Sequence, residues 1–127
     1  PALCRSFGRP YLKALAVFEQ GDLLESSAIY GDAAGILLDA PPADGLPGGT
    51  GRRFDWARVP AVLPRPLVLG GGLDAGNVAE AIRRVRPWAV DVSSGVEARG
   101  ADGRPVKGVK DPARIAAFIE EARHADG

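Results

Sequence analysis

Four short apolar runs, YLKALAV (11–17), GILLDA (35–40), PLVLGG (66–71) and WAVDVSS (88–94), recur along the chain, with helical patterns between or after them. The runs are continuous instead of alternating and rich in Leu and Val, the pattern of parallel strands covered on both faces. The stretch 74–86 puts Val78, Ile82 and Val85 on one helical face, with Glu80, Arg83 and Arg84 opposite. After Val109, KDPARIAAFIEEAR starts a helix with Asp111 as N-cap and Pro112 at the first helical position. Its apolar stripe is Ile115, Phe118, Ile119 and Ala122. A weaker helix is expected over 22–30. Successive strand–helix units mean a parallel sheet with right-handed crossovers, and this repetition narrows the fold more than any other feature. Four units fit either a small open sheet with helices on both faces or one half of an eight-stranded barrel. Between the second and third runs, PPADGLPGGTGRR (41–53) is a linker or a functional loop.

The 127 residues suffice for one domain with one modest core. Sixteen basic and sixteen acidic residues cancel, so nothing favours nucleic acid or an anionic membrane, and a phosphate ligand must be held locally. The single cysteine, Cys4, rules out an internal disulfide and fits a reducing compartment. It reads as a small buried residue, not a nucleophile. No apolar stretch reaches the length of a membrane span and the start does not resemble a secretory signal, so the expectation is a soluble, cytoplasmic protein. There is no methionine, and PALCRSFG (1–8) reads as the tail of a helix, which leads us to expect a truncation at residue 1.

Two turns could hold an anion. GGGLDAGN (70–77) follows a strand and opens a helix, where glycines let a backbone come close to a phosphate. It is neither a GxGxxG fingerprint nor a Walker loop. SSGVE (93–97) is a second donor-rich turn after the next strand. In barrels, the loops after the last two strands are a frequent phosphate site. Asp39 closes GILLD, where barrel enzymes place catalytic groups; partial burial there would raise its pKa and suit proton donation. A turn or cap aspartate before Pro41 is the alternative. Asp91 stands two residues before Ser93, on the same strand face, either as a ligand contact or as a buried acid holding a loop. Lys13 lies within the first strand and either enters a ligand cavity or snorkels. His124 belongs in solvent, and one His with one Cys makes no metal constellation.

ILLDA, GLPGGTGRRFDW, GGGLDAGNVAEAI, VRPWAVDVSSGVE and GVKDPARIAAFI resemble, in order and spacing, the C-terminal half of the phosphoribosylanthranilate isomerase family of tryptophan biosynthesis. The resemblance implies a (β/α)8 barrel of which these are strands five to eight, as a single partial domain over 1–127 with its N-terminal half missing. It also implies an Amadori rearrangement of N-(5-phosphoribosyl)anthranilate without metal or cofactor. An acid protonates the furanose ring oxygen, and a base then removes the proton from C2. The acid falls on Asp39, the phosphate site on Gly71, Gly72, Ser94 and Gly95, and the substrate pocket includes Asp91. The partner is a small phosphorylated substrate, with no nucleic acid and no membrane; the intact protein is expected as a monomer or homodimer.

Departures from the family pattern matter as well. The family's base is a cysteine in a Lys-Ile-Cys-Gly run, which is absent here, and Cys4 does not match it. The chain alone is therefore expected to lack activity. EARGADGRPVKG (97–108) is longer than usual, a surface insertion, and Gly70 stands where the family often has alanine. Other phosphate-gripping barrels lack the VDVSSGVE and GVKDP pairing. A non-catalytic half-barrel that binds a phosphorylated ligand or self-associates is the alternative from another class.

Overall fold

A computed structural model describes residues 1–16, 23–39, 56 and 59–126. The GGTG run of the sequence reading (48–51) lies outside the described residues. A short helix, α1 (Ala2–Ser6), precedes strand β1 (Leu12–Ala16), helix α2 (Leu23–Ile29) and strand β2 (Gly35–Asp39). Strand β3 (Leu67–Gly70), helix α3 (Val78–Val85) and strand β4 (Ala89–Val90) follow. The expected strands and helices thus form close to where periodicity places them. The fourth strand is shorter than its apolar run, because the chain turns away after Asp91.

The four strands pair in parallel in the order β1-β2-β3-β4, each beside its neighbour in sequence. A doubly wound sheet needs a reversal of strand order, and these strands show none. Helices α2 and α3, the described crossover helices, pack on the same side of the sheet, as right-handed crossovers in one direction require. The side chains agree. Alternation along β2 and β3 sends Ile36, Leu38, Leu67 and Leu69 to one side, where they form a core with Leu23 of α2 and with Val78 and Ala81 of α3. Ile36, Leu38, Leu69 and Val78 are fully buried, each worth roughly 1.5–3 kcal/mol in apolar burial.

The other side differs from the expectation of strands covered on both faces. Only β3 is buried along its whole length. Leu37 is half-buried, Asp39 is exposed, and Leu12 at the sheet's edge is 53% exposed. No described element packs there. Lys13 shares the helix face with Ile36, its partner in register, and its ammonium sits 4.8 Å from the Tyr30 ring centroid. This cation–π contact anchors it away from the open side of the sheet.

Past β4, a tight 3-10 turn (Ser94–Val96) leads into β5 (Glu97–Arg99), which pairs antiparallel with β6 (Pro105–Lys110). The presumed surface insertion is this hairpin, and every residue of β6 is exposed. Helix α4 (Pro112–Asp126) closes the chain. Its start is as expected, with the Asp111 carboxylate accepting the Ala113 N–H at 2.9 Å. Its stripe is only partly covered: Phe118 is buried in the core, while Ile115 and Ile119 remain exposed.

Candidate functional site

Side chains on the uncovered face meet at the C-terminal edge of the sheet. Asp39, the last residue of β2, is the register partner of Gly70, the last of β3. On the far side of Gly70, the ladder continues through Asp91, whose N–H donates to the Leu69 carbonyl at 2.8 Å. Asp39, Gly70 and Asp91 thus form one row, with the two carboxylates on strands roughly 10 Å apart. The Asp91 side chain leans over Gly70: a Cβ there would lie 3.5 Å from its Oδ2, an ordinary contact, so alanine fits. Above this row opens a cavity of about 410 Å³. Leu37, Asp39 and Asp91 line its sheet side; Gly71, Gly72, Ser93 and Ser94 line the rim. Among the described residues no basic side chain belongs to that lining, so the donors they offer an anion are N–H groups and hydroxyls.

The first rim turn follows β3. Gly71 and Gly72 adopt φ of +79° and +65°, a left-handed path that glycine takes at little cost. Asn77, the residue before α3, locks this path. Its amide donates to the Gly72 carbonyl at 2.9 Å, and its side-chain oxygen accepts the Asp74 N–H at 2.9 Å. The Asp74 carboxylate accepts the Gly76 N–H at 2.8 Å, completing a small self-contained knot.

The second rim turn, after β4, presses against the first. A Cβ on Gly95 would overlap the Leu73 carbonyl oxygen and sit 2.9 Å from its carbon and 3.1 Å from the Asp74 Cα. Glycine is needed at 95 because two backbones touch. Next to it, Lys110 at the end of β6 donates to the Ser93 carbonyl at 2.8 Å, and reaches Ser93 Oγ and Glu97 Oε1 at 3.3 Å each. The Glu97 side chain is 8% exposed. The Gly108 N–H, at 2.9 Å, and then Lys110 hold its carboxyl below the usual carboxylate range against the opposing effect of burial.

The structure brings Asp39, Asp91, Gly71, Gly72 and Ser94 to one cavity, while Gly95 stands behind the rim in contact with the neighbouring turn. Asp39 and Asp91 are both exposed, so neither the partial burial considered for Asp39 nor a buried structural role for Asp91 is found. Among the described residues, no group of three or more His, Cys, Asp or Glu could hold a metal ion. Sequence reasoning did not single out Asn77, Glu97 or Lys110. All three lie within quoted motifs, but each is held in part by main-chain atoms distant in sequence or in a turn, which a pattern of side chains does not display.

The family model for N-(5'phosphoribosyl)anthranilate (PRA) isomerase matches residues 8–121. The N-(5'-phosphoribosyl)anthranilate isomerase of Thiobacillus denitrificans is 53% identical over 123 residues, covering 97% of this chain and 56% of that protein. That of Pseudomonas aeruginosa is 51% identical over 120 residues, covering 94% of this chain and 53% of the relative. Among solved structures, phosphoribosyl anthranilate isomerase from Thermotoga maritima superposes with a TM-score of 0.72 at 38% identity, covering 97% of this chain and 57% of that one. A phosphoribosyl anthranilate isomerase in complex with reduced 1-(o-carboxyphenylamino)-1-deoxyribulose 5-phosphate gives a TM-score of 0.68 at 36% identity, covering 97% of this chain and 54% of that one. The chain spans about half the length of the curated relatives it matches.

Proposed function

This chain belongs to the N-(5'-phosphoribosyl)anthranilate isomerase family, and on that premise we propose that it forms strands five to eight of a (β/α)8 barrel and carries the acid and phosphate grip of the isomerase. Sequential strand order supports the half-barrel, as do the bare sheet face and coverage of about half of each relative. So does an apolar groove of about 340 Å³ beside β4, lined by Trp88, Phe118 and Ile119, in which Trp88 is 75% exposed. In a closed barrel this groove and the open face become interior surface.

The observation that carries the functional reading is the meeting of Asp39 with both glycine- and serine-rich turns on one cavity. The rearrangement requires cleavage of the C1–O ring bond and proton transfers, with no external oxidant or reductant. Asp39 protonates the ring oxygen of N-(5'-phosphoribosyl)anthranilate as the C1–O bond breaks, giving the protonated imine and a free C4 hydroxyl. A base then takes the C2 proton to give the enolamine, which takes up a proton at C1 as its C2 hydroxyl gives one up, leaving the ketone, 1-(2-carboxyphenylamino)-1-deoxyribulose 5-phosphate. Gly71, Gly72 and Ser94 hold the phosphate through N–H and hydroxyl donors, Gly95 lets the two turns close together around it, and Asp91 faces the substrate from the next strand. Fixing the phosphate places the sugar within proton-transfer distance of Asp39. In the intact cytoplasmic enzyme, a monomer or homodimer, the base comes from the other half of the barrel. No Lys-Ile-Cys-Gly run occurs here.

An assay of isomerisation by loss of anthranilate-sugar fluorescence tests this reading. The purified 127-residue chain should give no turnover, and the same chain joined to a family N-terminal half should be active. Turnover by the chain alone overturns the assignment of the base, and an inactive but folded whole barrel overturns the function.

A further inference from the structure

Among the described residues the cavity rim contains no basic side chain, yet a cation touches it from behind. Lys110 lies outside the lining, and its ammonium donates to the main-chain oxygen of Ser93 at 2.8 Å. The same oxygen accepts the Val96 N–H at 3.4 Å, so the Lys110 contact is the shorter of its two bonds. Glu97 and Lys110 are already cross-strand register partners, and Lys110 reaches 17 residues back to find Ser93. Ser93 O and Ser94 N–H belong to a single planar trans peptide, so they point in opposite directions. Fixing the oxygen toward Lys110 therefore fixes the direction of the Ser94 N–H on a residue that lines the cavity. A positive charge on the oxygen also polarises the peptide and strengthens its N–H as a donor to an anion.

Glu97 explains how the lysine is held. Its carboxylate is buried, accepts the Gly108 N–H at 2.9 Å and meets Lys110 at 3.3 Å. A buried carboxylate left without its cation is costly, so this pair favours one placement of the Lys110 side chain. From this geometry we propose that Lys110 is a positioning residue for the phosphate turn: seated by Glu97, it orients and polarises the Ser93–Ser94 peptide without touching the ligand. This inference rests on the phosphate reading above and adds a residue that acts on the grip from outside the cavity.

The test titrates the 15N-labelled chain with inorganic phosphate, following the amides of Gly71, Gly72, Ser94 and Gly95 by NMR. Wild type should show saturable shifts at these amides. Lys110→Met should bind about tenfold more weakly, the loss expected of one charge-assisted hydrogen bond, and Lys110→Arg should recover to within about threefold of wild type. If wild type shows no saturable shift, the phosphate reading fails and this proposal goes with it. If wild type binds and a folded Lys110→Met binds equally well, the proposal alone is overturned. A loss that arginine leaves unrepaired also overturns it, because removal of the charge is then not the cause. Should Lys110→Met lose its dispersed spectrum, Lys110→Gln is judged by the same limits.

Discussion

Gly95→Ala is the sharpest perturbation of the cavity, because the added methyl has nowhere to go. Its Cβ would overlap the Leu73 carbonyl oxygen and approach the Leu73 carbon to 2.9 Å and the Asp74 Cα to 3.1 Å. These are backbone atoms of the first rim turn, which Asn77 holds through hydrogen bonds to Gly72 and Asp74. No side-chain rotamer can relieve the clash, so the two turns must separate. Overpacking of a well-filled site costs about 1–3 kcal/mol, and the rigid neighbour puts this case at or above about 3 kcal/mol. Loss of chain entropy in the unfolded state offsets only about 0.4–1 kcal/mol. A net loss of about 2 kcal/mol or more should lower Tm by roughly 10 °C, measured by circular dichroism alongside urea denaturation. Gly72→Ala is the control: it has φ of +65° but no atom of the described residues within 4 Å of its Cβ, so the left-handed backbone term of about 1 kcal/mol dominates. If Gly95→Ala costs no more than Gly72→Ala, the contact between the turns is not tight and the reasoning fails.

Two further outcomes follow from the same geometry. Asn77→Ala removes a donor to Gly72 and an acceptor for Asp74, and should lower the urea-derived stability by about 1–2 kcal/mol; no change would mean that the glycine turn holds its path unaided. At the opposite end of the sheet, Arg5 (2.6 Å) and then the Tyr11 hydroxyl (2.8 Å) hold Asp32 down to a pKa of about 2, from an ordinary value of 3.8. A depressed carboxylate stabilises the folded chain above its ordinary pKa and loses that contribution as pH falls from about 4 toward 2. Tyr11, pushed up to about 12 by desolvation and then by Asp32, stabilises below about 10 and loses its contribution as pH rises through 12. Tm measured against pH should therefore fall less steeply between pH 4 and 2 in Asp32→Asn than in wild type, and parallel curves would contradict the linkage.

Much of this molecule is legible in its sequence because the strands are local and strongly apolar. GILLD and PLVLG become β2 and β3 with little shift, and Asp111 caps α4 as its spacing implies. The choice between an open two-faced sheet and a single helix-covered face was not legible, since periodicity reports a strand and not its neighbour. Strand order supplies that information. The 97–108 stretch reads as an insertion, yet it folds as a hairpin; its pairing is antiparallel and its outer strand wholly exposed, so no apolar pattern marks it. At the site, Asp39, Asp91 and the glycine and serine turns could be named from strand ends alone. Gly95 could be named but not explained, because its reason is a contact with Leu73, 22 residues earlier. Lys110 and Glu97 carry no signal of their own in the sequence, and only the fold places Lys110 against Ser93 and Glu97 behind it.

The proposed role of Asp39 as proton donor is the central claim, and kinetics of Asp39→Asn in the intact isomerase test it most directly. Asparagine keeps the size and polarity of the side chain but cannot supply an acidic proton. Because proton donation acts mainly in the transition state, kcat should fall by about 10²–10⁴ while KM changes little. A KM that rises as much as kcat falls, or a kcat that hardly moves, would contradict the account and leave Asp39 as a binding residue.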